Sequence, residues 1–233
     1  MYCIITIARY KKSLAYFGFL SMAVFRLFLW RNKNIHFYKL LGCGKGGTFD
    51  IHPDVQQWAV LVTTNQPFTN NQTLYGKFIT NWWKSFNCEL FTVVLHPTEG
   101  HGLWDGKKPF GTLPKQTAED GLTAVLTRAT IRLSKLKAFW QNVQAAASPL
   151  QKAEGFLMSV GIGEVPWIKQ ATFSVWQNKQ AMKQYAYGTK QHAQVIGKTR
   201  KENWYSEELF VRFKVLQASG TLNGINPLQD YLH

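Results

Sequence analysis

"FYKLLGCG", residues 37–44, and "FLMSVGIG", residues 156–163, share the pattern Phe-x-x-x-x-Gly-x-Gly. The offset between them (156 against 37) is also the offset between "ELF" at 89–91 and "ELF" at 208–210. A third pair stands near the start of each half, where Arg9, Lys12, Tyr16 and Phe17 are mirrored by Arg132, Lys135, Phe139 and Trp140. Three matches in the same order point to an internal duplication.

Hydrophobic periodicity gives both halves one layout. The first half predicts a strand over 3–9, a helix over 13–30, strands over 36–43 and 56–64, a helix over 72–86 and a strand over 88–95. The second predicts a strand over 123–132, a helix over 134–147 and strands over 156–163 and 169–177. A helical region over 178–203, broken near Gly188, and a strand over 207–217 complete it. Each half reads β-α-β-β-α-β, the ferredoxin-like unit. Such a sheet carries helices on one face and needs cover on the other. Two units in one chain can lay their bare faces together. The expected fold class is therefore α+β, two ferredoxin-like halves (1–112 and 113–233) forming one compact α+β barrel. This is the dimeric α+β barrel type fused in one chain, with an interior suited to a flat or elongated apolar ligand.

The same glycines raise a competing reading. "GCGKGG", residues 42–47, fits the dinucleotide fingerprint through Gly42, Gly44 and Gly47. That fingerprint must open a helix and be followed about 20 residues on by an acid for the ribose. Here "TFDIHPDVQQWAVLV" follows, a loop and a strand, and no acid lies between Asp54 and Glu89. Lys45 is followed by Gly46 and not by Ser or Thr, which excludes a Walker loop. Under the duplication, the paired glycines mark the end of an inner strand, where they permit a bulge or a close backbone approach.

Composition narrows the function. With 45% hydrophobic, 15% aromatic and only 17% charged residues, the 233-residue chain is not a disordered one. Its net charge of +14 favours an anionic partner: nucleic acid, a membrane surface, or an acidic protein or cofactor. The cations are scattered in short runs and no nucleic-acid-binding motif accompanies them, so nucleic acid is not the expected partner. Three cysteines without a C-x-x-C spacing suit a reduced, cytoplasmic protein with neither structural disulfides nor a zinc site. Residues 13–30 are apolar almost all round, but Arg26 interrupts the run and no small-residue cleavage site follows. A buried helix is expected, with an extra apolar face turned to a subunit of a homo-oligomer or to a lipid surface.

Several segments read together: "FYKLLGCGKGGTF", "WAVL", "PTEGHGLWDGKKPF", "LTRATIR", "GIGEVPW", "TFSVW" and "WYSEELFVRFKVL". In sequence and order they resemble the spheroidene monooxygenase family of carotenoid ketolases, over about residues 37 to 220. The first 35 residues and the last dozen carry little of the resemblance. It implies a haem-dependent monooxygenase that oxidises an allylic methylene of an acyclic carotenoid to a ketone, with reduced ferredoxin as electron donor. It also implies a barrel related to those of chlorite dismutase and dye-decolourising peroxidase, in agreement with the duplication. Rival expectations keep the haem barrel and change the chemistry, to an aldoxime-dehydratase-like lyase or a peroxidase. A haem or carotenoid carrier without turnover is the non-enzymatic rival.

A haem enzyme needs an axial ligand, partners for the propionates and an apolar cavity. The resemblance makes His192 the axial ligand of the haem iron, and Val195 and Ile196, one helical turn on, would flank the porphyrin. Arg128, in "LTRAT", is a lone cation on an inward strand face and needs an anion; a haem propionate, an oxygen species and Glu164 are the candidates. Glu164, Pro166 and Trp167 follow the second glycine pair and are expected at the cavity rim. There Glu164 serves proton relay or turn capping, and Trp167 borders the cofactor or polyene. Trp176 and Trp204 belong either to that channel or to packing. His96, Glu99 and His101 have no helix to align them as metal ligands. Cys43, between two glycines, reads as a small buried residue and not a thiolate ligand.

Overall fold

The computed structural model describes residues 1–232 apart from 46, 48–50, 119, 148–149, 189–196 and 200, with backbone alone at 143–147 and 187–188. In chain order the elements are β1 (Tyr2–Arg9), α1 (Ala15–Arg31), β2 (Phe37–Gly44), β3 (Pro53–Thr64), α2 (Asn71–Ser85) and β4 (Glu89–Gly102). They are followed by β5 (Thr123–Ile131), α3 (Leu136–Ala147), β6 (Phe156–Val165), β7 (Lys169–Trp176), α4 (Lys179–Gly188) and β8 (Tyr205–Gly220). The order β-α-β-β-α-β thus occurs twice. The strands hydrogen-bond as β1-β3-β2-β6-β7-β5-β8-β4 in a ladder that closes on itself, an α+β barrel.

The largest departure from a predicted strand span is in the fourth strand. The sequence ends the fourth strand at 95, before the loop-like "HPTEGHG". In the structure β4 continues to Gly102. The glycines permit this: a Cβ on Gly100 would lie 3.1 Å from Val211 Cα, and one on Gly102 2.8 Å from Leu209 Cα. A side chain at either position would force the neighbouring backbone away.

The chain clusters into two compact units. One comprises Met1–Cys43, Asp54–Pro97 and Val215–His233; the other comprises Gly44–Pro53 and Thr98–Lys214. In the first unit β1 is the central strand, antiparallel to both β3 and β4, with Ile5 opposite Leu61 and Val93. Alternation divides its side chains. Ile4, Ala8, Val60, Val62 and Val94 pack with Phe25 and Leu29 of α1 and with Tyr75, Ile79 and Trp83 of α2. Cys3, Ile5, Ile7, Leu61, Phe91, Val93 and Leu95 take the opposite face and are equally buried. A sheet covered on both faces reads as a continuous apolar run, which is why "CIITIA" shows no polar alternation.

Helix α1 seats on this sheet through Gly18, Ser21, Phe25 and Leu29, spaced as one helical stripe. Gly18 is the tightest point: a Cβ there would overlap the Trp58 indole, 2.6 Å from Cδ1. At its C-terminus Asn32 Nδ2 donates to Leu74 O at 2.8 Å and ties α1 to α2. The start of α2 is capped by Asn70, whose side chain accepts from Thr73 N–H at 2.9 Å.

In the second unit β5 lies between β7 and β8, and β7 continues to β6. The register sets Leu126 opposite Phe173 and Val211, and Phe173 opposite Val160. Directly opposed residues share a face, so Leu126, Phe173, Val211 and Val160 form one buried apolar layer. On the other face Val125 and Trp176 pack with Ala181 and Met182 of α4. Phe139 and Trp140 of α3 pack with Ile131 and Trp204 in a separate cluster.

Gly163, of the second glycine pair, behaves as the sequence predicts. Between Gly163 and Val165 the β6–β7 register slips by one residue. This is a bulge, and Gly163 permits it: a Cβ there would lie 3.0 Å from Lys169 O.

Candidate functional site

The strand register of the second unit assembles a charged cluster at the end of the apolar layer. Arg128 on β5 is opposite Ala171 and Leu209, so it follows Leu126 on the same face. Lys169 of β7 and Glu207 of β8 are both paired with Thr130, two residues along that face. The bulge adds Glu164. Asp105 comes from the turn after β4, held by reciprocal N–H···O bonds between Trp104 and Lys107. Both Asp105 and Gly106 of this turn have positive φ, 50° and 71°.

Arg128 is only 1% exposed and organises the group. Its Nη1 donates to Glu207, and its Nη2 lies 3.3 Å from Asp105 Oδ1 and 3.9 Å from Glu164 Oε1. Its guanidinium carbon is 5.7 Å from the Trp104 ring centre. Trp104 Nε1 donates to Glu164, and Lys169 Nζ donates to Asp105 at 2.6 Å. Glu207 also accepts the N–H groups of Asp105 and Gly106, at 2.9 and 2.8 Å. Burial works to raise the Glu207 carboxyl; the two N–H donors and Arg128 outweigh it, and the net shift is downward. Among the described residues Arg128 Nε has no partner.

A second cluster lies on the opposite face of β8. Glu99, 1% exposed, accepts from Arg212 Nη1 at 2.6 Å and has Lys179 Nζ 2.8 Å from the same oxygen. Its other oxygen accepts from Thr117 N–H at 2.9 Å. Burial again opposes ionisation, but the two cations and the N–H hold the carboxyl below its usual range. A cleft of about 10 Å³ lies between Glu99, Asp120, Lys179, Arg212 and Lys214, room for one water molecule.

Arg128 and Glu164 meet in the first cluster. Trp167 is 51% exposed in the β6–β7 turn with φ +65°. Its backbone oxygen accepts from Trp140 Nε1 and its own indole donates to Ile51 O, each at 3.2 Å. Trp176 and Trp204 belong to the helix-side packing clusters, which answers the choice between channel and core in favour of core. Glu99 is turned toward Arg212 and Lys179, while His96 and His101 are exposed. Among the described residues no group of three or more His, Cys, Asp or Glu is placed to hold a metal ion. Cys43 is buried, and burial pushes its thiol up to about 12. His192, Val195 and Ile196 lie outside the described residues.

Glu207, Asp105, Lys169, Arg212 and Lys179 escaped the sequence reading. One signal was available for Arg212: "FVRFKV" sets a lone Arg within an apolar strand, as "LTRAT" does for Arg128. The carboxylates carried none, because their partners come from strands distant in sequence.

The described residues do not by themselves seat a haem. His36, His52, His96 and His101 are all exposed. Arg128 is already committed to carboxylates, and the cleft beside Glu99 is water-sized.

The architecture defines a class, the α+β barrels built from two ferredoxin-like repeats. Aldoxime dehydratase has this fold, with a TM-score of 0.63 at 8% identity over 92% of this chain and 80% of that one. Aldoxime dehydratase in complex with butyraldoxime superposes at a TM-score of 0.60 and 9% identity, over 92% and 79%. No protein-family model matches the chain. Curated sequences are more informative. Spheroidene monooxygenase of Rhodobacter capsulatus is 32% identical over 197 residues, covering 83% of this chain and 81% of its own. That of Rubrivivax gelatinosus is 34% identical over 188 residues, covering 81% and 72%. That of Cereibacter sphaeroides is 33% identical over 197 residues, covering 84% of this chain, which spans 60% of that relative's length. The chain belongs to the spheroidene monooxygenase family.

Proposed function

We propose that this protein is a carotenoid monooxygenase, a ketolase that converts an allylic methylene of an acyclic carotenoid into a ketone with electrons from reduced ferredoxin. The observation that carries this reading is the family relationship, at 32% identity across 81% of the Rhodobacter capsulatus spheroidene monooxygenase. The cofactor in this proposal is haem, which His192, Val195 and Ile196 would hold. Family resemblance supports that assignment. Bound haem would supply the activation of dioxygen.

The chain's own residues have separate tasks. Arg128 fixes the end of the apolar layer. Its buried charge holds Glu207 and Asp105 in place. Glu164, between the Trp104 indole and the Arg128 guanidinium, is the carboxylate positioned to exchange a proton. The apolar layer of Leu126, Phe173 and Val211 excludes water from the adjoining face.

The test is an absorption spectrum of the purified protein produced with haem supply, alongside the same preparation of His192→Ala. A Soret band in the wild type and its loss in the variant are expected. A colourless wild type under haem supply overturns the cofactor assignment. Anaerobic incubation with an acyclic carotenoid and reduced ferredoxin, followed by admission of air, tests the reaction. Ketone formation that proceeds equally without dioxygen would rule out a monooxygenase.

A further inference from the structure

Helix α1 has two apolar faces. Gly18, Ser21, Phe25 and Leu29 are buried against the first unit's core. On the opposite side Tyr16, Phe19, Leu27 and Trp30 are 71%, 66%, 46% and 71% exposed. At about 100° per residue, Tyr16, Phe19, Ala23, Leu27 and Trp30 fall on one stripe, about 21 Å long from end to end. Arg26 and Arg31, both exposed, flank it on either side. Phe78 of α2, 41% exposed, stacks on Phe28 of α1 at 3.9 Å and widens the apolar surface.

The charges carried by the two helices have one sign, although Arg9 of β1 is paired with Asp54. The first acidic residue of the chain is Asp50, and the 49 residues before it hold eight cations: Arg9, Lys11, Lys12, Arg26, Arg31, Lys33, Lys39 and Lys45. Helix α2 adds Lys77 and Lys84 and contains no acid either. Helices α1 and α2 are thus oily, aromatic and free of acidic residues.

We infer that the exposed face of α1 is a docking surface for an anionic phospholipid bilayer. In this arrangement the helix lies parallel to the membrane, with Phe19, Leu27 and Trp30 below the headgroups and Arg26 and Arg31 among the phosphates. Charge complementarity selects this occupant. A two-fold partner copy would set the same cations against each other with no carboxylate from either helix to neutralise them, whereas anionic headgroups attract each cation. By length and composition alone, residues Lys12–Arg31 could cross a bilayer. Crossing would strip Phe25 and Leu29 from the core they fill and place Arg26 inside the hydrocarbon, so the helix lies on the membrane. The inference needs no assumption about the reaction, and its test uses neither pigment nor haem.

The test is sedimentation of the purified full chain with vesicles of phosphatidylcholine alone or with about one-third phosphatidylglycerol. Binding to the anionic vesicles only, released by high salt, is expected. The double variants Phe19→Ser/Trp30→Ser and Arg26→Glu/Arg31→Glu each weaken it at least about tenfold. Both change exposed positions, and an unchanged melting temperature confirms that the fold is kept. Three results would overturn the inference: no binding to either vesicle, binding that survives alkaline carbonate extraction, or a dimer in sedimentation equilibrium that the serine variant dissolves.

Discussion

Arg212 Nη1 lies 2.6 Å from Glu99 Oε1, and Lys179 Nζ approaches the same oxygen at 2.8 Å. One buried carboxylate is therefore shared by two cations, one from β8 and one from the first turn of α4. Its removal leaves Arg212 without its carboxylate and Lys179 with only Thr117 O and the nearby Asp120. Glu99→Ala is expected to cost about 3 kcal/mol and to lower the melting temperature by roughly 6–12 °C. Substituting Arg212 and Glu99 together by apolar residues should cost less than the two single changes summed, a result that a double-mutant cycle in urea reads directly.

Acid should unfold the protein through the same groups. The folded-state carboxyls of Glu99 and Glu207 are both depressed, so their stabilisation is present above the unfolded value of about 4.3. It is lost as pH falls through their lower folded values. The melting temperature is expected to hold from pH 7 to about 5 and then fall. Glu99→Gln/Glu207→Gln should start lower at pH 7 and show a flatter acid limb. An acid limb as steep as that of the wild type would show that other carboxylates govern the transition.

Arg128→Lys is not a conservative change here. The guanidinium addresses Glu207 through Nη1 and Asp105 through Nη2 while lying against the Trp104 ring; an ammonium cannot reproduce that fork. The variant should lose at least about 1 kcal/mol in chemical denaturation. If the proposed function holds, carotenoid turnover of Arg128→Lys should fall further than that of Trp167→Phe, whose ring is exposed.

Asn70→Ala removes the acceptor for Thr73 N–H at the start of α2. A loss of about 1 kcal/mol is expected, measurable as a shift of the urea midpoint at constant slope.

Gly18→Ala sets two effects against each other. Alanine gains about 1 kcal/mol of helix propensity, but its methyl would strike the Trp58 indole, which is held by its own bond to Val55 O at 2.9 Å. Overpacking costs about 1–3 kcal/mol, so a lower melting temperature and an altered near-ultraviolet spectrum are expected.

The fold was legible because duplication repeats its signals: the two glycine pairs, the two "ELF" strands and the matching helices each supported the other copy. The closed ladder of eight strands followed from the unmet need to cover two bare sheet faces. The end of β4 was not legible, since Pro97 and the glycines have the composition of a loop, and only the approach of β8 explains the strand there. The charged clusters were legible by halves. A lone Arg in an apolar strand announces that it needs an anion, but not which one. Arg128 obtains three carboxylates from a turn, a bulge and a neighbouring strand, and no local pattern marks such partners. The same limit applies to Trp204, whose packing role depends on Phe139 and Trp140 of α3, far back in the chain.

Gly18 leaves α1 no clearance against Trp58. The helix is therefore unable to roll about its axis and tuck Phe19 and Trp30 out of sight. Phe19 and Trp30 thus stay exposed in free solution, and the like charges of Arg26 and Arg31 oppose the meeting of two such flanks. Salt shortens the reach of that repulsion to about 3 Å at 1 M. Colloidal solubility of this protein should accordingly decline as ionic strength rises, the reverse of what a well-shielded globule shows over the same range.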